Sequence, residues 1–163
     1  MKDYWRLVTE PFEFLNINFF HMNQELNEHV SLSFSGLIAD NSLEEYLDML
    51  QNDSWFKIEV EDKYQERQIL FYGIITSYTI NFTGQDTVLT LYGMSGTYLL
   101  DLKSHLRTFQ NGTEKHSEIL SFLCKENKEM AFIMGRQGDE EISNLLIQYY
   151  ETDWQFMKRL ASH

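Results

Sequence analysis

The sequence predicts a β-rich α+β fold: a small β-barrel with one helix, followed by a partial second α+β region. Three observations carry this reading. Segments that alternate apolar and polar residues dominate the N-terminal part, the strictest being Val30-Ser31-Leu32-Ser33-Phe34-Ser35-Gly36-Leu37. Thr83-Gly84-Gln85-Asp86 punctuates two strand-like runs as a hairpin turn would. After Gly93-Met94-Ser95-Gly96 the pattern shifts to mixed helix and strand.

Taken in order, Phe12 to Phe19 alternates for most of its length and predicts a strand with one buried face. Met22 to Glu28 is polar and suits a long loop, and Val30 to Leu37 is the next strand. Ser42 with Glu45 three positions later has the form of a capping box. It opens a helix whose apolar Leu43, Tyr46, Leu47 and Leu50 fall at i, i+3, i+4 and i+7. Strands follow at Trp55 to Val60, Ile69 to Phe82 and Thr87 to Tyr92, and Gly73 inside the long second one marks a bulge or sharp bend, as barrel corners require. Strands in this number imply a barrel, or a sandwich that curls on itself; the barrel is the preferred expectation.

Leu99 to Arg107 reads as a connection. Thr113 or Ser117 caps a helix running to about Asn127 with Ile119, Leu120 and Leu123 inward. Phe132-Ile133-Met134 is a short strand before an acidic turn from Gly135 to Glu141, and the strand at Leu145 to Tyr149 leads into a terminal helix. Thr152 with Gln155 forms a second capping-box pattern, Asp153 charges the first turn, and Lys158 and Arg159 lie towards the end. Trp154, Phe156, Met157 and Leu160 give that helix a wide apolar stripe to bury. The expected domains are residues 1–102 and 103–163.

Composition bounds the function. Apolar residues make up 43% and aromatics 15%, so the chain is globular. Twelve Phe and nine Tyr supply a barrel core and leave rings over for a protein interface, where Tyr, Trp and Phe concentrate. A formal charge of −12 argues against nucleic-acid binding, which depends on Lys and Arg displacing counterions. Such acidity commonly serves solubility, and it also suits the lining of a channel through which DNA or protein passes without sticking. No apolar run approaches the ~20 residues that span a bilayer, and Met1-Lys2-Asp3-Tyr4-Trp5-Arg6 lacks the apolar centre of a signal peptide, so an intracellular product is expected.

Catalytic and ligand-binding patterns are sparse. The single Cys124 excludes an internal disulfide and is expected to pack as a small apolar residue. His21, His29, His105, His116 and His163 are scattered without zinc-site spacing, and the neighbours Glu44-Glu45 and Glu140-Glu141 point apart on any regular element. No glycine-rich phosphate loop is present, and the Asn-x-Ser/Thr triplets at Asn52, Asn81 and Asn111 carry no weight without a secretion signal. No catalytic, cofactor-binding or metal-ligating residue is assigned.

One stretch carries a family resemblance. Ile147-Gln148-Tyr149, then Glu151-Thr152-Asp153-Trp154, then Phe156 and Lys158-Arg159-Leu160-Ala161-Ser162-His163 resembles the signature segment of phage late control D proteins. These are the tail-hub proteins of contractile phages, and the group includes the N-terminal part of the valine-glycine repeat spike proteins of type VI secretion. Lys103 to Thr113, ahead of a helix with Ile119 and Leu120, is similar to the segment that precedes the signature in that family.

The resemblance implies a non-enzymatic structural component of a phage or prophage baseplate hub. Residues 1–102 would be a tail-tube-like barrel and 103–163 the truncated start of a second region, the chain being an N-terminal fragment. In the full-length protein a homotrimer would close a ring joining tail tube to central spike, assembled in the bacterial cytoplasm and carried in the virion tail. Its partners would be itself, tube and spike proteins, with no nucleic acid bound, no membrane-spanning segment and no cofactor. Gln148, Tyr149, Glu151, Asp153, Trp154, Phe156, Arg159 and Leu160 would be a structural signature, Asp153 capping or charging the helix start and Trp154, Phe156 and Leu160 docking the helix. The alternatives are a tail-associated cell-wall hydrolase domain, which needs convergent carboxylates, and a glycan- or receptor-binding module, which needs an exposed aromatic platform.

Overall fold

The structure, a computed structural model, describes residues 5–52, 55–110, 115–125, 139, 141, 142 and 144–162. The chain divides into two units, Met1–Ser95 and Gly96–His163.

In the first unit, alternating sequence becomes an antiparallel sheet rolled into a half-barrel. Its elements are β1 (Arg6–Glu10), β2 (Asn16–Asn23), β3 (Ser31–Ile38), α1 (Leu43–Leu50), β4 (Trp55–Glu61), β5 (Arg67–Thr83) and β6 (Asp86–Ser95). The spatial order β1-β4-β5-β6-β3-β2 leaves β1 and β2 as the two edges. Every second residue of β3 is buried, Leu32, Phe34 and Ile38 among them, and these share one core with Phe56 and Ile58 of β4, Phe71 of β5, and Leu89 and Leu91 of β6. Phe12, Phe34, Phe56, Ile58, Leu89 and Leu91 are all at 0% exposure, each contributing about 1.5–3 kcal/mol relative to an exposed side chain. Tyr46 of α1 closes one side, edge-on to Phe12 with ring centroids 5.1 Å apart.

The hairpin between β5 and β6 turns on Gly84 and Gln85. Gly84 has φ 67°, while Gln85 keeps a negative φ, the II′ geometry that matches strand twist. Gly73 is not itself a bulge. Bulges flank it, at Leu70 against β4 and at Thr76 against β6, where the registers shift. Gly73 is required by close approach, since a Cβ there would lie 2.1 Å from the Met94 carbonyl oxygen.

Three expectations for this unit are corrected. The strand predicted at Phe12 to Phe19 lies at Asn16–Asn23, so Met22 and Asn23 belong to it and not to the loop. Phe12 and Phe14 alternate because both pack on the core, without pairing in the ladder. Asn18 is a bulge that reverses the strand's parity, so Ile17, Phe20 and Met22 face inward and Phe19 outward. The Ser42 capping box does not form: a 3-10 turn at Asp40–Ser42 runs into α1, and Ser42 is itself helical (φ −93°, ψ −9°), which withdraws its side chain from the cap.

The second unit begins with a 3-10 turn at Gly96–Asp101. It continues through β7 (Ser104–Phe109), α2 (His116–Cys124), β8 (Leu146–Thr152) and α3 (Asp153–Ala161), with β7 and β8 antiparallel. Ser104 to Arg107, expected in a connection, is strand. Helix α2 starts after Lys115, whose N–H donates to the Glu118 carboxylate at 3.0 Å, and buries Ile119, Leu123 and Cys124. Ile119, Leu123, Ile142, Phe156 and Leu160 make the core, and Phe109 stacks on Phe156 at 5.6 Å. Thr113, Asn127, the strand at Phe132 to Met134 and most of the turn from Gly135 to Glu141 lie outside the described residues.

Candidate assembly surfaces

Two residues of the expected signature, Gln148 and Asp153, meet in a buried polar cluster at the start of α3. Thr152 closes the helix N-terminus: Gln155 N–H donates to its Oγ1, and its own N–H donates to Gln155 Oε1, both at 3.1 Å. The Thr152 hydroxyl also donates to Asp101. Asp153, only 5% exposed, takes a charge-assisted bond of 2.5 Å from Arg107 and a second of 2.8 Å from Gln148 Nε2. Gln148 is fully buried and its Oε1 accepts from Arg107 at 3.2 Å, closing a triangle across β7, β8 and α3. His105 Nε2 lies 3.7 Å from the second Asp153 oxygen.

Arg159 clasps the helix to its own strand. Its guanidinium meets the Glu151 carboxylate with two parallel bonds of 2.9 and 2.8 Å, and donates to the Ile147 carbonyl at 2.7 Å. Phe156 and Leu160 are buried, whereas Trp154 is only half-buried. Tyr149 stands apart, 67% exposed on the outer face of β8 opposite Leu106. A bulge at Tyr150, with φ 50° in the left-handed region, turns that neighbouring ring outward as well.

Arg107 is the participant that sequence reasoning missed. The inner face of β7 carries His105, Arg107 and Phe109 while Leu106 is 58% exposed, so the hydropathy pattern is inverted and hides the strand. The recoverable signal was a cation at strand spacing from Phe109.

In the first unit the surfaces of interest are the two sheet edges and the outer face. Among the described residues β1 pairs only with β4 and β2 only with β3. Phe19, 51% exposed, stacks on His21 along the β2 edge. Among the described residues no group of three or more His, Cys, Asp and Glu is placed to hold a metal ion, and no helix is long and apolar enough to cross a membrane. Cys124 is buried, and that burial, reinforced by the Asp153 charge, pushes its thiol above the usual range.

No protein-family model matches the chain, and no curated protein matches it in sequence. Solved structures do match in fold. A Neisseria meningitidis tail protein aligns over 97% of this chain with a TM-score of 0.67 and 16% identity. The fold is that of phage tail proteins. The Escherichia coli c3393 protein, described as a type VI secretion component structurally similar to bacteriophage T4 tail proteins gp27 and gp5, aligns over 96% with a TM-score of 0.62 and 15% identity. The 43 kDa tail protein of Shewanella oneidensis prophage MuSo2 aligns over 99% with a TM-score of 0.59 and 12% identity. This tail-protein fold is the one to which the resemblance at Gln148 to Leu160 pointed. The chain spans 45%, 42% and 50% of the length of these three structures respectively.

Proposed function

We propose that the chain is part of a baseplate hub, a structural element of a phage or prophage tail that forms a ring between tail tube and central spike. The observation that supports it most is the pair of unlike sheet edges, unpaired among the described residues, on a tail-protein fold. β1 and β2 end the same sheet with different sequences, so the β1 edge of one copy can take the β2 edge of the next. Such a head-to-tail contact closes into a ring when its rotation allows. The outward Phe19 and His21 would then lie at a junction. Residues 1–102 act as the tube-like domain and 103–163 as the start of the next, with the Arg107–Gln148–Asp153 cluster fixing α3 as a structural signature. The action is mechanical, with no bond-making step, and its partners are further copies of the chain and the tube and spike proteins. Assembly takes place in the bacterial cytoplasm before incorporation into the tail.

Light scattering on a size-exclusion column tests this. The full-length protein is expected at three times its chain mass, and Phe19→Lys, which places a charge on the β2 edge, is expected to return it to one. A monomer at every concentration that also fails to co-elute with tube or spike proteins would refute the proposal.

A further inference from the structure

The outer face of β1, β4 and β5 carries a groove of about 430 Å³ lined by Glu10, Pro11, Trp55, Lys57, Ile69 and Tyr72. Its volume falls in the range of small-ligand sites. Glu10, Lys57 and Tyr72 form one row across three strands, each directly opposite the next. Trp55 stacks on Tyr72 with centroids 4.7 Å apart and planes 24° from parallel. The bulge at Leu70 builds the rest. Ile69 and Tyr72 are three residues apart and would face opposite sides of a regular strand, yet both point outward, at 57% and 42% exposure, while Phe71 is buried at 3%.

The two charged groups that line the groove, Glu10 and Lys57, are of opposite sign. Lys57 Nζ lies 2.8 Å from the Glu10 carboxylate and 3.4 Å from Glu59, which lies outside the groove lining and is also met by Arg67 at 3.6 Å. The hydrogen bond from Lys57 holds Glu10 below the usual carboxylate range, so both stay charged and offset each other at neutral pH. An ammonium with three donors and a carboxylate with several lone pairs then stand side by side, with hydrogen-bonding capacity beyond their mutual contact. A charged ligand meets one attractive and one repulsive group there. An uncharged ligand with an apolar face and a rim of hydroxyls meets aromatic carbon on its face, and a donor and an acceptor on its rim.

We propose that this groove binds a neutral saccharide, one pyranose face lying on the Trp55–Tyr72 stack and its hydroxyls shared between Lys57 and Glu10. The inference does not depend on ring formation.

The test is a titration of the protein with glucose, galactose, mannose, rhamnose and N-acetylglucosamine, followed by the NMR signal of the Trp55 indole N–H. At least one of these sugars is expected to shift that signal saturably. Tyr72→Ala, at an exposed position, is expected to weaken binding about tenfold. Phe82→Ala, 70% exposed and outside the groove, is expected to leave it unchanged. Unaltered melting curves for both variants would show that the fold is intact. A Trp55 signal that none of the sugars moves up to roughly 100 mM, far weaker than the millimolar scale of weak specific binding, would overturn the inference. Equal affinity in Tyr72→Ala would also overturn it, as would groove residues that respond to a tail protein and to no sugar.

Discussion

Arg107 on β7 reaches Asp153, the first residue of α3, at 2.5 Å, and both side chains are largely buried, at 17% and 7% exposure. A charge pair in this setting is costly to break from one side, because the survivor keeps its desolvation penalty without its partner. Arg107→Met is expected to cost about 3–5 kcal/mol in urea unfolding. Arg107→Lys, which retains the charge, is expected to recover part of that. The double variant with Asp153→Asn should lose much less than the sum of the singles, and additive losses would mean that the pair is not coupled.

The apolar stripe of α3 divides unequally. Phe156 is at 0% exposure and stacked on Phe109, so Phe156→Ala is expected to cost about 3–5 kcal/mol. Trp154 would lose as much only if its ring were fully buried, and it is half-buried. Trp154→Ala is therefore expected to cost clearly less than Phe156→Ala. Equal melting shifts would contradict this division.

How much of this was legible in sequence follows from which signals were local. The hairpin at Gly84, the Thr152 cap and the alternation of β3 depend on neighbours in the chain, and each is visible in a few residues. The parity switch at Asn18 depends on which residue of β3 stands opposite, which no single strand encodes. Strand β7 was hidden by its inward polar face, and Ser42 lost its cap because the preceding 3-10 turn had already taken up the chain. Gln148 and Asp153 stand close together in one short stretch of the sequence. Their buried polar triangle was not legible there, because Arg107 enters it from 41 residues before Gln148.

Gly73 tests the rolling of the sheet. Its missing side chain lets β6 approach until a Cβ would stand 2.1 Å from the Met94 carbonyl oxygen and 2.7 Å from the Phe71 ring. Backbone cannot yield as a flexible side chain does, so Gly73→Ala forces β5 and β6 apart. A loss of about 3 kcal/mol is expected, at the upper end of ordinary overpacking. Gly84→Ala places its Cβ in open space and adds only the penalty of a left-handed φ, about 1–2 kcal/mol. A Gly73→Ala protein as stable as Gly84→Ala would show that the strands can separate at that point without cost.

Cys124 supplies a pH dependence whose sign follows from its surroundings. Burial, then the Asp153 carboxylate, raises the thiol pKa in the folded chain above its unfolded value. The neutral thiol is thus favoured by folding, and its contribution is fully present below the unfolded pKa of about 8.5. As pH rises through that value towards the folded one, the unfolded chain ionises first and stability falls. Cys124→Ala removes this loss, so the stability difference between the native chain and the variant should shift against the native chain above about pH 8.5 and stay flat below it. The same burial should slow labelling by a thiol-specific disulfide reagent at pH 8, with the rate restored in urea. Fast labelling of the folded protein would place the sulfur at the surface and remove both expectations.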